Sequence, residues 1–91
     1  MELEISYNSF LIRKITKKTT EKISLKENSK IADLIDCLVI KYGKKFFELL
    51  LDNSSGEFKM LILINGLKAI GLEASLSNND RINILSFTTG G

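Results

Sequence analysis

The stretch SKIADLIDCLVIKYG, residues 29–43, gives the clearest structural signal in this 91-residue sequence. Its apolar residues recur at intervals of three and four, which predicts an amphipathic helix with one buried stripe. That stripe consists of Ile31, Leu34, Ile35, Leu38, Val39 and Tyr42. We expect Ser29 to cap the helix, Asp33 to face the positive end of its dipole, and Gly43 to end it. Cys37 lies about 60° from the stripe, which predicts a boundary residue rather than a reactive thiol.

Two segments before this helix, residues 2–6 and 21–25, alternate between apolar and polar residues. A period of two predicts half-buried strands, and their polar connection predicts a β-hairpin. Residues 10–12 either continue the first strand or lie in the turn. The basic stretch from Arg13 to Lys18 is compatible with contact to RNA or to an acidic partner. Because no aromatic residues are interleaved with it, a solvated hairpin is favoured.

After the helix, residues 46–51 predict a further helical turn or a packed loop, and residues 59–64 and 81–87 predict strands. A short strand and irregular turns are expected over residues 67–76. Strands around one helix, without regular alternation, predict an α+β domain in which one main helix covers a mixed four- to five-stranded sheet. If isoleucines 62, 64, 82 and 84 face the core, the opposite side carries an apolar patch that marks a partner site. Its members are Leu61, Leu63, Leu85 and Phe87, unless residues 46–51 fold over them.

Composition excludes several kinds of site. The sequence has no His and one Cys, so neither a His/Cys zinc site nor a His-based nucleophile is available, and no metal is expected. Thirteen basic and 11 acidic residues give a net charge of +2, which makes nucleic-acid binding an unfavoured interpretation. No apolar run is long enough to span a bilayer, and we expect no membrane partner and a cytoplasmic location. These exclusions favour a carrier, a binding module or a subunit.

Three short motifs carry a family resemblance. They are Leu63-Ile64-Asn65-Gly66, the Asn79-Asp80 turn before the last strand, and Gly90-Gly91 at the end. With the element order, they resemble the ubiquitin-like sulfur carriers, which include the molybdopterin synthase small subunit, the thiamine-pathway carrier and modifiers related to tRNA thiolation. The resemblance implies a β-grasp domain over residues 1–87 and a flexible tail over residues 88–91. Many molybdopterin synthase small subunits have Pro before the diglycine and Gly in the turn, where this chain has Phe87-Thr88-Thr89 and Asn79.

The resemblance also implies the chemistry. The Gly91 carboxylate would be adenylated, with ATP, by a partner resembling ubiquitin-activating enzymes, and then converted to a thiocarboxylate. The tail of Thr88, Thr89, Gly90 and Gly91 reaches roughly 13 Å when extended, and its glycines suit a narrow channel. The chain would bind no cofactor of its own. The length of the chain favours the molybdopterin synthase small subunit over the thiamine carrier. In that case the partner would be the large synthase subunit. The alternatives are a protein modifier or tRNA-thiolation carrier, and a ubiquitin-like interaction domain without chemistry.

Overall fold

A computed structural model describes residues 1–87 of the chain. It contains five strands and three helices within those residues. In chain order they are β1 (Glu2–Asn8), α1 (Phe10–Thr16), β2 (Thr20–Ser24), α2 (Ile31–Tyr42), α3 (Lys44–Leu50), β3 (Leu61–Ile64), β4 (Leu67–Lys68) and β5 (Arg81–Leu85). The predicted α+β class is therefore confirmed, with two short helices in addition to the main one.

The strands form one mixed five-stranded sheet in the order β2-β1-β5-β3-β4. The central pair, β1 and β5, is parallel and places Ile5 opposite Ile82. The other three pairs are antiparallel. A long helix packed on one face of such a sheet is the β-grasp architecture that the family resemblance implies.

The hydrophobic core lies between the inner face of the sheet and the helices. From the strands, Ile5, Ile62 and Ile82 are almost fully buried, and α2 contributes the stripe residues Leu34 and Leu38. Each such aliphatic side chain stabilises the fold by roughly 1.5–3 kcal/mol through the apolar surface that it removes from water. Two stripe residues at the end of α2, Val39 and Tyr42, are only partly buried.

The predicted start of α2 is wrong by one residue. The helix is preceded by Lys30, whose backbone N–H donates to the Asp33 carboxylate at 2.8 Å. Ser29 instead donates its hydroxyl to the backbone carbonyl of Lys26, which removes it from the capping position. The predicted end is confirmed, because Gly43 follows Tyr42 with a φ of 92°, a left-handed value that suits glycine.

The connection between β1 and β2 is the helix α1 rather than a simple turn. The two strands do pair antiparallel as predicted, but residues 10–12 belong neither to β1 nor to a turn. Ile12 and Thr16, one helical turn apart, are both buried, and α1 packs against α3. The helix ends at Lys17, whose φ of 61° is left-handed.

The helix α3 lies on the same side of the sheet as α2. Its Phe46 is buried, stacks on Tyr42 and meets Tyr7 edge-on. The alternative in which residues 46–51 cover the outer face of β3 is therefore wrong. Within residues 1–87, no helix has the length and apolar character needed to cross a membrane.

Candidate functional site

The outer face of the sheet carries an apolar pair on β3 and β5. Leu61 lies directly opposite Leu85 in the antiparallel register, at a distance where side chains of neighbouring strands interact. Both are partly exposed, whereas the alternating isoleucines of the same strands, such as Ile62 and Ile84, are buried. Leu63 is also partly exposed on this face, but its cross-strand neighbour is Asn83.

Phe87 lies beyond the end of β5 and is 51% exposed. It lines a shallow groove of about 360 Å³ together with Phe58 and Ile70. The side chain of Ile70 is 95% exposed. The four predicted patch residues therefore divide into two neighbouring parts. The Leu61–Leu85 pair with Leu63 lies on the sheet, and Phe87 lies beside the loop that follows β4.

A polar border flanks the apolar pair on the side of β1. Asn8 is paired with Leu85 in the parallel register, and its side-chain amide donates to Asn83. Arg13 of α1 donates through Nε to the Tyr7 carbonyl at 2.7 Å and through a terminal guanidinium nitrogen to Asn8 at 3.1 Å. These bonds fix the guanidinium at the end of the sheet from which the chain continues to Phe87. Sequence reasoning missed this role, because it placed Arg13 in a solvated hairpin.

Two of the motifs that carry the family resemblance contact each other. The Asn65 side chain donates to the Asp80 carboxylate at 2.8 Å and accepts from the Arg81 backbone N–H at 2.9 Å. The second Asp80 oxygen accepts from the Ser77 backbone N–H. Asn65 and Asn79 have φ values of 52° and 68°, which asparagine tolerates better than most residues. Asn79 therefore supplies the left-handed backbone position in the turn before β5.

A buried carboxylate lies between β2 and α2. Glu21 is 8% exposed and accepts hydrogen bonds from the hydroxyls of Tyr7 and Tyr42. The ammonium groups of Lys18 and Lys41 complete the set of donors. Sequence reasoning missed this cluster, although Glu21 lies two residues before Ile23 and therefore on the same, buried side of β2.

Hydrogen bonding outweighs burial in setting the pKa of Glu21. Burial favours the neutral acid, but donation from Lys41, both tyrosines and Lys18 lowers the pKa from 4.5 to about 2. The same contacts, together with burial, raise the pKa of the Tyr7 and Tyr42 hydroxyls. The hydrogen bond to Glu21 also raises the pKa of Lys41. The cluster is therefore an ionised carboxylate held by neutral tyrosines and charged lysines at neutral pH.

The remaining residues that the sequence singled out are the four terminal residues and Cys37. Thr88, Thr89, Gly90 and Gly91 lie outside the described residues. Cys37 is half-buried against the core, as expected for a boundary residue. In residues 1–87, no three His, Cys, Asp or Glu side chains are grouped so that they could hold a metal ion.

Solved structures of several proteins share this fold. SAMP1 from Haloferax volcanii aligns over 100% of both chains with a TM-score of 0.78 and 19% identity. A putative molybdopterin converting factor, subunit 1, from Pyrococcus furiosus aligns over 94% of this chain and 97% of its own, with a TM-score of 0.77 and 20% identity. A chain of the Amycolatopsis orientalis BexX/CysO complex aligns over 98% and 99%, with a TM-score of 0.74 and 19% identity. At these identities the likeness establishes the β-grasp fold alone.

Sequence comparison identifies the family. No curated protein matches the chain significantly. The sequence profile of the ThiS family, in contrast, matches residues 5–91, which include every described strand and helix in whole or in part as well as both terminal glycines. Because that match spans nearly the whole sequence, the chain belongs to the ThiS family of ubiquitin-like sulfur carriers.

Proposed function

We propose that this chain is the small subunit of a molybdopterin synthase and carries sulfur as a thiocarboxylate on Gly91. The observation that carries the proposal is the family match, which extends through Gly90 and Gly91. The length of the chain favours this pathway over thiamine synthesis, because thiamine carriers are typically shorter. The likeness to a protein described as a molybdopterin converting factor subunit agrees with this choice.

The chemistry requires no side chain from the described domain. In the activating partner, the Gly91 carboxylate attacks the α-phosphorus of ATP, and pyrophosphate leaves. The resulting acyl-adenylate has AMP as a good leaving group. A hydrosulfide equivalent then attacks the carbonyl carbon, the bond to AMP breaks, and a proton is released. The product is a thiocarboxylate that donates its sulfur in the next reaction, so the carrier acts as a covalent co-substrate.

The outer face of the sheet is the surface that we assign to partner docking. The partly exposed Leu61–Leu85 pair supplies an apolar centre, and the fixed polar groups of Asn8 and Arg13 supply its border. This combination of apolar centre and polar rim is typical of protein interfaces. The surface adjoins the end of β5, so a partner bound there would lie next to the segment that leads to Gly91. The activating adenylyltransferase and the large synthase subunit would use it in turn.

Intact-mass measurement tests the proposal. The protein is incubated with ATP, sulfide and the cognate activating enzyme, and its mass is compared before and after. We expect a mass increase equal to one oxygen-to-sulfur exchange, located at Gly91 by fragmentation. A variant lacking Gly90 and Gly91 is the matched control and should remain unchanged. Persistent absence of the exchange in the full chain would refute sulfur carriage.

Protein modification is the second candidate function. The observation that favours it is the full-length likeness to SAMP1, since proteins of that name are described as small archaeal modifier proteins. In this case the activated Gly91 would form an isopeptide bond with a lysine of a target protein. Mass spectrometry of cell extract separates the two candidates. Gly-Gly remnants from this chain on lysines indicate a modifier, whereas sulfur transfer to the molybdopterin precursor in the presence of the large subunit indicates the synthase subunit.

A further inference from the structure

The helices α1 and α3 enclose a groove on the side of the molecule opposite the outer face of the sheet. It has a volume of about 400 Å³, and its apolar floor is formed by Leu11, Ile15 and Leu49. Lysines 14, 45 and 59 line it together with a single acidic residue, Glu48. We call this feature the α1/α3 groove. It is separate from the Leu61–Leu85 surface, so its use does not depend on the proposed function.

The apolar floor continues onto exposed side chains. Leu11 is 54% exposed and the neighbouring Phe10 is 74% exposed, although both lie on a helix whose opposite side is buried. The ammonium group of Lys14 lies 5.3 Å from the centre of the Phe10 ring, a cation–π distance. Large apolar side chains that adjoin a groove in this way mark interaction sites more often than isolated exposed residues do.

The lining of the groove is predominantly basic. Lysines 14, 45 and 59 line it against the single carboxylate of Glu48. Within residues 1–87, none of the three groove lysines is paired with a carboxylate. Their charges are available to a ligand.

We propose that the α1/α3 groove is a second docking site, which binds an acidic amphipathic helix of a protein partner. Apolar side chains of that helix would cover Leu11, Ile15 and Leu49, and its carboxylates would meet the lysines at the rim. A nucleic acid would satisfy the lysines through its phosphates but would leave the aliphatic floor without a partner. The aliphatic floor of the groove therefore favours a protein over a nucleic acid as its ligand.

The position of the groove adds to the argument. Because β1 and β5 are parallel with Asn8 opposite Leu85, α1 begins at the end of the sheet where the chain leaves β5. A partner helix in the groove is thus held near the same end of the molecule as Phe87. Two surfaces at one end, on opposite sides of the sheet, allow one protein to contact the outer face while another remains bound at the helices.

A peptide titration followed by NMR tests the inference on the full chain. The probe is a synthetic helical peptide with Leu at positions i, i+3, i+4 and i+7 and mainly Glu elsewhere, and a scrambled peptide of the same composition is the control. We expect amide shifts confined to α1, α3 and residues next to Lys59, with an affinity that falls as salt is raised. Shifts confined to the outer face of the sheet, or equal binding of the scrambled peptide, would overturn the proposal.

Matched variants sharpen the result. Leu11→Ser and Lys45→Glu should each weaken binding of the probe by roughly tenfold, a loss equivalent to about 1.4 kcal/mol. Ile40→Ser on α2 and Lys26→Glu alter an exposed apolar residue and an exposed basic residue that do not line the groove, and they should leave binding unchanged. A mixed-sequence single-stranded RNA that binds more tightly than the peptide, through the same residues, would show that the groove has a nucleic-acid ligand instead. Sulfur exchange at Gly91 is measured separately, so either proposal can fail alone.

Discussion

At the scale of single residues, the Glu21 side chain joins three elements of the fold. It connects β2 to β1 through Tyr7 and to α2 through Lys41 and Tyr42. A buried carboxylate is stable only when donors replace its lost hydration, and four are present here. The cluster therefore fixes the position of α2 on the sheet through directional bonds, in addition to the non-directional packing of the core.

The ionisation of Glu21 makes folding sensitive to acid. Its pKa is about 2 in the folded protein against an ordinary value of 4.5, so protons bind more readily to the unfolded chain as pH falls. The stabilisation, on the order of 3 kcal/mol, is nearly complete above pH 5 and decreases as pH falls toward 2. Urea unfolding between pH 7 and pH 2.5 measures this decrease.

A glutamine substitution isolates the effect of Glu21. We expect Glu21→Gln to lower the free energy of unfolding at pH 7 by roughly 1–3 kcal/mol and to flatten the acid dependence. Glu57→Gln, at an exposed position, is the control and should behave like the unmodified protein. Asp52, whose pKa is also lowered to about 2 by hydrogen bonds from Ser54 and Ser55, contributes equally to all three proteins. An unaltered acid dependence in Glu21→Gln would contradict the assignment.

The left-handed backbone at Asn79 gives a second prediction for a single residue. Alanine tolerates a φ of 68° poorly, so Asn79→Ala should lower the free energy of unfolding by about 1 kcal/mol. Asn79→Gly removes the same side chain, but glycine has no Cβ and adopts a positive φ readily. It should therefore be less destabilising than Asn79→Ala, although glycine is the more flexible residue in the unfolded chain. Thermal unfolding of the two variants measures the difference. The opposite order of stability would show that the left-handed backbone at residue 79 does not determine how much the turn stabilises the fold.

At the scale of elements, the sequence was most informative where the apolar period was long. The stripe of α2 predicted a helix that differs from the observed one only at its start. The condition that the isoleucines of β3 and β5 face the core is met by Ile62, Ile82 and Ile84, whereas Ile64 is only partly buried. The helix α1 was missed because its seven residues bury only Ile12 and Thr16, and that burial depends on the distant helix α3. Glu21 was missed because three of its four donors, Tyr7, Lys41 and Tyr42, lie on β1 and α2, which are distant from it in sequence. Such contacts have no local pattern.

The outer face of β3 and β5 supplies the prediction at this scale, and it rests on the proposed function. Leu61→Ser and Leu85→Ser should each weaken binding to the activating enzyme by at least fivefold, a loss of about 1 kcal/mol, since serine buries less apolar surface than leucine at the interface. Leu67→Ser, on the exposed edge strand β4, is the control. Calorimetric titration with the enzyme measures the affinities, and circular dichroism verifies the fold. Equal affinities for all three variants would place the docking surface elsewhere.

At the scale of the whole molecule, the residues that form the core and the residue proposed to carry sulfur lie in separate parts of the chain. Within residues 1–87, the buried hydrophobic residues lie between Leu3 and Ile84, whereas the proposed reactive group is Gly91. Removing Gly90 and Gly91 should therefore abolish sulfur exchange while shifting the thermal midpoint by less than about 2 °C, since the core between Leu3 and Ile84 is retained. Differential scanning calorimetry and intact mass measure the two effects. A large loss of stability would show that the terminal residues belong to the folded domain.

The parallel pairing of β1 with β5 has a consequence for the timing of synthesis. Glu4 through Asn8 pair with Arg81 through Leu85, so the two middle strands of the sheet are separated by almost the entire sequence. During translation, β1 leaves the ribosome early and has only β2 as a neighbour until residues 81–85 emerge. Such distant pairing is slow to form, and the complete sheet can assemble only after β5 has been made. The proposed docking surface, which needs Leu85 beside Leu61, would therefore be absent from a nascent chain that has not yet reached β5.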